Sequence, residues 1–185
     1  MGVLNGLGRL SAQLAKPVVA RSLIGAAQSV VLSRGISHDG KKVHVVPTYT
    51  AMNPDCPVNR SLIGATVWCD QEGNGHVQLP LSSHPNSARL TNSANTIQGG
   101  IQGVLHDLAA CVTVHNTGKS GSHIAMNTTF VSPIAQQEGT LDVYCIIVDK
   151  KNSHMFLRSH LTVGGELKST CSHIVRTGRS EKIPA

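Results

Sequence analysis

The chain has 185 residues and a mass of 19.5 kDa, enough for one compact domain with a terminal extension and too short for two ordinary domains. Apolar residues make up 40% and charged residues 14%, which excludes disorder over the whole length. Aromatic residues are only 3%, with Trp68 the sole tryptophan, so recognition of nucleic acid by base stacking is not expected.

The net charge of +6 is gathered at one end. Arg9, Lys16, Arg21 and Arg34 all precede the first acidic residue, Asp39, and beyond residue 36 twelve basic residues face ten acidic ones. Residues 1–36 are rich in Arg, Ala, Leu and Ser, and Val3, Leu4, Leu7, Leu10 and Leu14 share one side of a helix. This is the pattern of a mitochondrial transit peptide; an ordinary N-terminal surface helix is the alternative. Lys16, Arg21 and Gln28 interrupt every candidate apolar stretch, so neither a secretory signal nor a transmembrane segment is expected. Ser33-Arg34-Gly35-Ile36-Ser37 resembles a matrix-processing site, which puts the mature start near Ser37 and the protein in the mitochondrial matrix or on the matrix side of the inner membrane.

Cys56, Cys69, Cys111, Cys145 and Cys171 are odd in number and contain no CxxC pair, and none of the ten histidines forms HExxH. Neither a disulfide framework nor a metal is expected, and no cofactor.

Residues 37–60, with Pro47, Pro54 and Pro57, read as an irregular N-terminal arm. A single domain is then expected over 61–178, with 179–185 as a C-terminal tail. Leu62–Cys69 and His76–Leu81 are β-prone runs joined by the turn sequence Glu72-Gly73-Asn74-Gly75, and 82–95 reads as a loop. From about Gln98 to His115, Ile101, Val104, Leu105, Leu108 and Val112 follow the spacing of a buried helical stripe. At 100° per residue Asp107 falls at the margin of that stripe, in line with Gly100, Gly103 and Cys111. The helix start at Gly99-Gly100 offers backbone N–H groups where the helix dipole favours negative charge. A dinucleotide loop is not expected there, since no strand leads directly into these glycines and the fingerprint is incomplete.

After Gly121 the period changes to two. Ile124, Met126, Thr128 and Phe130 fall on one side of a strand and His123, Ala125, Asn127 and Thr129 on the other. Two more alternating strands cover Leu141–Ile147 and Met155–Val163, and a fourth runs from about Lys168 to Arg176. Their links are short enough for hairpins, so an α+β architecture is expected: an antiparallel curved sheet wrapped around one long central helix.

NSANTIQGGIQGVLHD (92–107) followed by GSHIAMNTTFVSP (121–133) resembles the hotdog-fold acyl-CoA thioesterases, in particular the PaaI-like or thioesterase superfamily member 2 group. That group places an Asn, six residues later a His-Gly-Gly at the helix start, and an Asp nine residues after the His; Asn92, Gln98-Gly99-Gly100 and Asp107 keep both intervals. The resemblance covers about residues 62–177. It implies that Asp107 activates water, or attacks directly, at the thioester carbonyl, and that the Gly99 N–H, helped by Asn92, holds the oxygen that becomes negative. Gln98 and Gly100 then belong to the substrate-binding surface. It further implies a homodimer or homotetramer in which Asp107 faces the partner's Gly99 and Asn92.

Two positions depart from the family pattern: Gln98 replaces its histidine, and His123 stands where the family places a serine. Glutamine cannot be charged, so Gln98 keeps at most a hydrogen-bonding role. His123 either orients water beside Asp107 or fills the acyl pocket. His106 is expected at the core edge or surface, and Lys150 and Lys151 either meet the phosphates of coenzyme A or form a solvated hairpin tip.

Two functions follow from this reading. One is a mitochondrial acyl-CoA thioesterase that releases free acid and coenzyme A. The other is a catalytically inactive hotdog domain serving as an accessory subunit of a larger mitochondrial complex.

Overall fold

In this computed structural model the described residues are 61–179, apart from residue 86, together with the backbone pairing of 43–44. The expected transit peptide, most of the N-terminal arm and residues 180–185 lie outside the described residues. Among the described residues seven strands form one sheet: β1 (Val43–His44), β2 (Thr66–Cys69), β3 (Gly75–Pro80), β4 (Lys119–Phe130), β5 (Thr140–Lys151), β6 (His154–Val163) and β7 (Glu166–Arg179). Their spatial order is β1-β2-β3-β5-β6-β7-β4, and every neighbouring pair is antiparallel. A 3-10 turn at Ser87–Leu90 interrupts the expected loop, and one long helix, α1 (Gly99–Asn116), follows it.

α1 lies against the inner face of the sheet and touches β2 through β7. The strands show why: β3 alternates buried and half-buried residues throughout, and in β6 Met155, Leu157, Ser159, Leu161 and Val163 are buried while their neighbours are not. One face is therefore apolar and meets the helix, and the other meets water. Leu105, Leu108 and Val112 of the expected stripe are buried, and Ile101 and Val104 pack half-buried against the core. Burial extends beyond the stripe to His106, Ala109, Ala110, Thr113 and Val114, because a curved sheet encloses more of a helix than a flat one covers. Each fully buried leucine contributes about 1.5–3 kcal/mol relative to an exposed one.

The turns are built locally. Asp70 Oδ1 accepts hydrogen bonds from the N–H groups of Glu72 (3.0 Å) and Asn74 (2.8 Å), closing the β2–β3 hairpin, so Gly75 belongs to β3 rather than to the turn. Gly75 passes so close to α1 that an added Cβ would collide with the Ala109 carbonyl and the Thr113 hydroxyl. Gly164 and Gly165 both have positive φ (58° and 86°), the two-residue hairpin geometry that suits the twist of β6 and β7.

Three expectations are corrected. β4 does not open a simple meander with β5; it pairs with β7 at the far edge of the sheet. β7 runs to Arg179, one residue into the expected tail. The strict alternation expected along β4 is broken by a register shift between His123 and Ala125: His123 pairs with Val175, whereas Ala125 pairs with Ile174. Ile124 is the extra residue of a bulge. Paired residues share a sheet face, so His123 joins Met126, Thr128 and Phe130 on the inner side, facing the helix, and not the opposite side with Ala125, Asn127 and Thr129.

Candidate active site

The bulge brings two of the sequence-predicted residues together. His123 Nδ1 on β4 lies 2.7 Å from Asp107 Oδ1 on α1, with the carboxylate about one third exposed (34%) and the imidazole half as much (16%). The contact is an ion pair when the ring is protonated and a hydrogen bond when it is neutral. One and two turns earlier on the helix, a Cβ added at Gly103 or Gly100 would meet nothing within 4 Å among the described residues, so these leave open the strip expected to give room beside Asp107. One turn later stands Cys111. Donor atoms of Asp107, Cys111 and His123 all lie within 4.8 Å of one another. Burial, reinforced by the nearby Asp107 carboxylate, pushes the Cys111 thiol well above its usual range.

Behind His123 the core contains a polar chain that the sequence reading missed. The His123 and His173 rings are 5.2 Å apart between centroids. His173 Nε2 is 2.7 Å from Ser159 Oγ, which is 2.7 Å from His106 Nδ1, and His106 Nε2 is 3.0 Å from Ser169 Oγ. Ser159 has one hydroxyl proton, so it donates to one imidazole and accepts from the other. Burial lowers His106 to about 4, helped by His173, and lowers His173 to about 4, helped by His123, so both rings are neutral at pH 7. His106 is fully enclosed rather than at the core edge or surface. The only advance signal was polar residues at the inner, alternating positions of β6 and β7. Among the described residues His123 Nε2 is buried without a hydrogen-bond partner.

The helix start holds the other candidates. A Cβ added at Gly99 would stand 2.7 Å from Phe130 Cζ, so the Phe130 ring covers this glycine. Gln98 precedes the helix; its N–H donates to the Leu90 carbonyl (2.8 Å) and its side chain donates to the Thr91 carbonyl (2.8 Å), tying the helix to the loop before it. Asn92 organises that loop. Its Oδ1 accepts from the N–H groups of Ala94 (2.9 Å) and Thr96 (3.2 Å), and its Nδ2 donates to Thr96 Oγ1 (2.8 Å). Gly99 and Asp107 stand eight residues apart on one helix, about 12 Å at 1.5 Å per residue, so within one chain they cannot act on the same carbonyl.

Lys150 and Lys151 are exposed at the β5–β6 hairpin end. A cleft of about 650 Å³ opens at the opposite end of α1 from Gly99, lined by Thr117–Lys119, Asn152, Ser153, Thr177 and Gly178, and contains none of the candidate residues. The cysteines at 69, 111, 145 and 171 are free thiols. Among the described residues no helix is long and apolar enough to cross a membrane.

One long helix wrapped by an antiparallel curved sheet defines the hotdog fold. Solved structures share it. Zebrafish thioesterase superfamily member 2 superposes with a TM-score of 0.58 at 21% identity, covering 72% of this chain and 96% of that one. A point variant of the phenylacetic acid degradation protein PaaI from Thermus thermophilus gives 0.54 at 17% identity, covering 61% and 92%. A hypothetical thioesterase from Streptococcus pneumoniae, solved with coenzyme A, gives 0.55 at 12% identity, covering 62% and 89%. No protein-family model matches the sequence, and no curated protein matches it significantly.

Proposed function

We propose that this chain is a mitochondrial acyl-CoA thioesterase acting as a homodimer or a higher assembly of dimers. The observation that carries the reading is the Asp107–His123 pair, 2.7 Å apart on the exposed margin of the hotdog helix, beside a strip without side chains. His123 holds Oδ1 and leaves Oδ2 to a water. The water oxygen attacks the thioester carbonyl carbon as its proton passes to Asp107, and the tetrahedral intermediate then collapses, expelling the coenzyme A thiolate, which takes up a proton. The oxyanion is held by the partner's Gly99 N–H, since the same chain's Gly99 is too far along the helix. Asn92 and Gln98 support that amide by fixing the loop and helix start. The coenzyme A found with the pneumococcal neighbour supports the substrate class, and the acid-free, arginine-bearing leader supports the destination.

A spectrophotometric thiol-release assay on a panel of acyl-CoAs tests this. Asp107→Ala should lower kcat by about 10²- to 10⁴-fold; release that is absent, or equal in wild type and variant, ends the catalytic reading. One arrangement favours the accessory-subunit reading instead: the Phe130 ring lies over Gly99 while the side chains of Asn92 and Gln98 are engaged in their own loop. Co-purification at fixed stoichiometry with a mitochondrial complex, without thiol release, would select it.

A further inference from the structure

We propose that Asp107, Cys111 and His123 form a binding site for a divalent cation of the zinc class, which revises the sequence expectation of no metal. Three donor types converge: a carboxylate oxygen, a thiol sulfur and an imidazole nitrogen, all within 4.8 Å of one another. The first two stand four residues apart on one face of α1, where side chains of successive turns are neighbours, and the third comes from the bulged strand β4 that packs on that helix. Two rigid elements therefore hold the set. In a tetrahedral site with bonds of about 2.0–2.3 Å the ligand atoms stand roughly 3.3–3.7 Å apart, so side-chain rotations that draw in separations of up to 4.8 Å and let the 2.7 Å Asp107–His123 contact open would seat the ion. An N, O and S set suits zinc, cobalt(II) and cadmium better than magnesium or calcium, which prefer oxygen alone.

The charges also match. As the metal–sulfur bond forms, the Cys111 thiol releases its proton to solvent, and thiolate plus carboxylate then neutralise a dication. Three protein ligands leave a fourth position for water. Occupancy ties up the Asp107 carboxylate, so a bound cation switches off the hydrolysis proposed above; this consequence rests on that reading, whereas the binding itself does not.

The test uses the full-length, reduced chain titrated with cobalt(II), followed by absorption spectroscopy and calorimetry. One ion per chain is expected, with tetrahedral cobalt bands and a sulfur-to-cobalt charge-transfer band, all displaced by zinc. Cys111→Ser and Cys111→Ala should abolish the charge-transfer band, and Asp107→Asn and His123→Gln should each weaken binding more than about tenfold. Circular dichroism checks that each variant is folded. Absence of binding by wild type, or a charge-transfer band that survives in whichever Cys111 variant folds, overturns the site. Loss of thiol release on zinc addition and its return with a chelator tests the inhibition separately, so an inactive protein that binds cobalt through Cys111 refutes only the thioesterase reading.

Discussion

Asp107 keeps one carboxylate oxygen against His123 Nδ1 at 2.7 Å, a contact through which an imidazole can hold the carboxylate in place. A positioning role predicts that His123→Gln, which retains a hydrogen-bonding side chain, preserves more thiol release than His123→Phe, which retains only bulk; equal losses in the two would refute it. Phe130 offers a second residue-scale test. Gly99→Ala drives its new methyl into the ring, but the ring is 55% exposed and can swing aside. The global stability of Gly99→Ala should therefore change by less than about 1 kcal/mol in denaturant unfolding, while thiol release falls because the displaced ring crowds the amide. Asp107 was legible in the sequence as a candidate because its intervals to Asn92 and Gly99 lie within one contiguous segment. The network around His106 was not, since Ser159 and Ser169 are 53 and 63 residues away and no local pattern reports such partners.

At the scale of elements, the glycines of α1 and β3 divide sharply. Gly75 lies against the Ala109 carbonyl and the Thr113 hydroxyl, neither of which can withdraw without breaking the helix or its packing, so Gly75→Ala should cost about 1–3 kcal/mol in urea unfolding. A Cβ added at Gly103 would meet nothing within 4 Å among the described residues, and the residue lies inside the helix, so Gly103→Ala should stabilise the single chain by about 0.5–1 kcal/mol through backbone entropy. If a partner copy approaches along the Gly100–Gly103–Asp107 strip, the same substitution should weaken association, read by analytical ultracentrifugation. The helix and the strands β5, β6 and β7 were readable from periods of 3.6 and 2, because each buries one face. The bulge at Ile124 was not, because a single extra residue shifts the phase without altering composition, and a one-residue slip moves side chains to the other face.

For the molecule as a whole, the buried imidazoles set an acid limit. His106 and His173 titrate at about 4 in the folded state against 6.5 in an unfolded chain, so between these values the unfolded state binds more protons. Their effect on stability is therefore nil above pH 6.5, grows destabilising as pH falls towards about 4, and levels off below. Thermal melts across that window should show the decline, and His106→Gln with His173→Gln should flatten it. The far edge of the sheet presents a second whole-molecule feature. Among the described residues β4 pairs on one side only, and Ile124, Met126, Phe130 and Val131 are exposed along or just beyond it, an apolar edge of the kind that solitary domains avoid. Association through this edge should make the protein a dimer in light scattering, and Ile124→Glu with Phe130→Glu should yield monomers without thiol release if the partner's Gly99 completes the site.

The sequence by itself determined the local order: the helix, the alternating strands, the turn residues between them and the intervals that carry the hotdog resemblance, all of which depend on contacts within a few residues. Only the tertiary structure decided that β4 lies beyond β7, that its bulge turns His123 inward onto Asp107, and that His106 is enclosed among serines. The reason is physical. Backbone propensity and amphipathic period act over one or two turns, whereas a strand's place in a sheet and the partner of a buried polar atom are settled by which distant surfaces can be desolvated together at the least cost in lost hydrogen bonds.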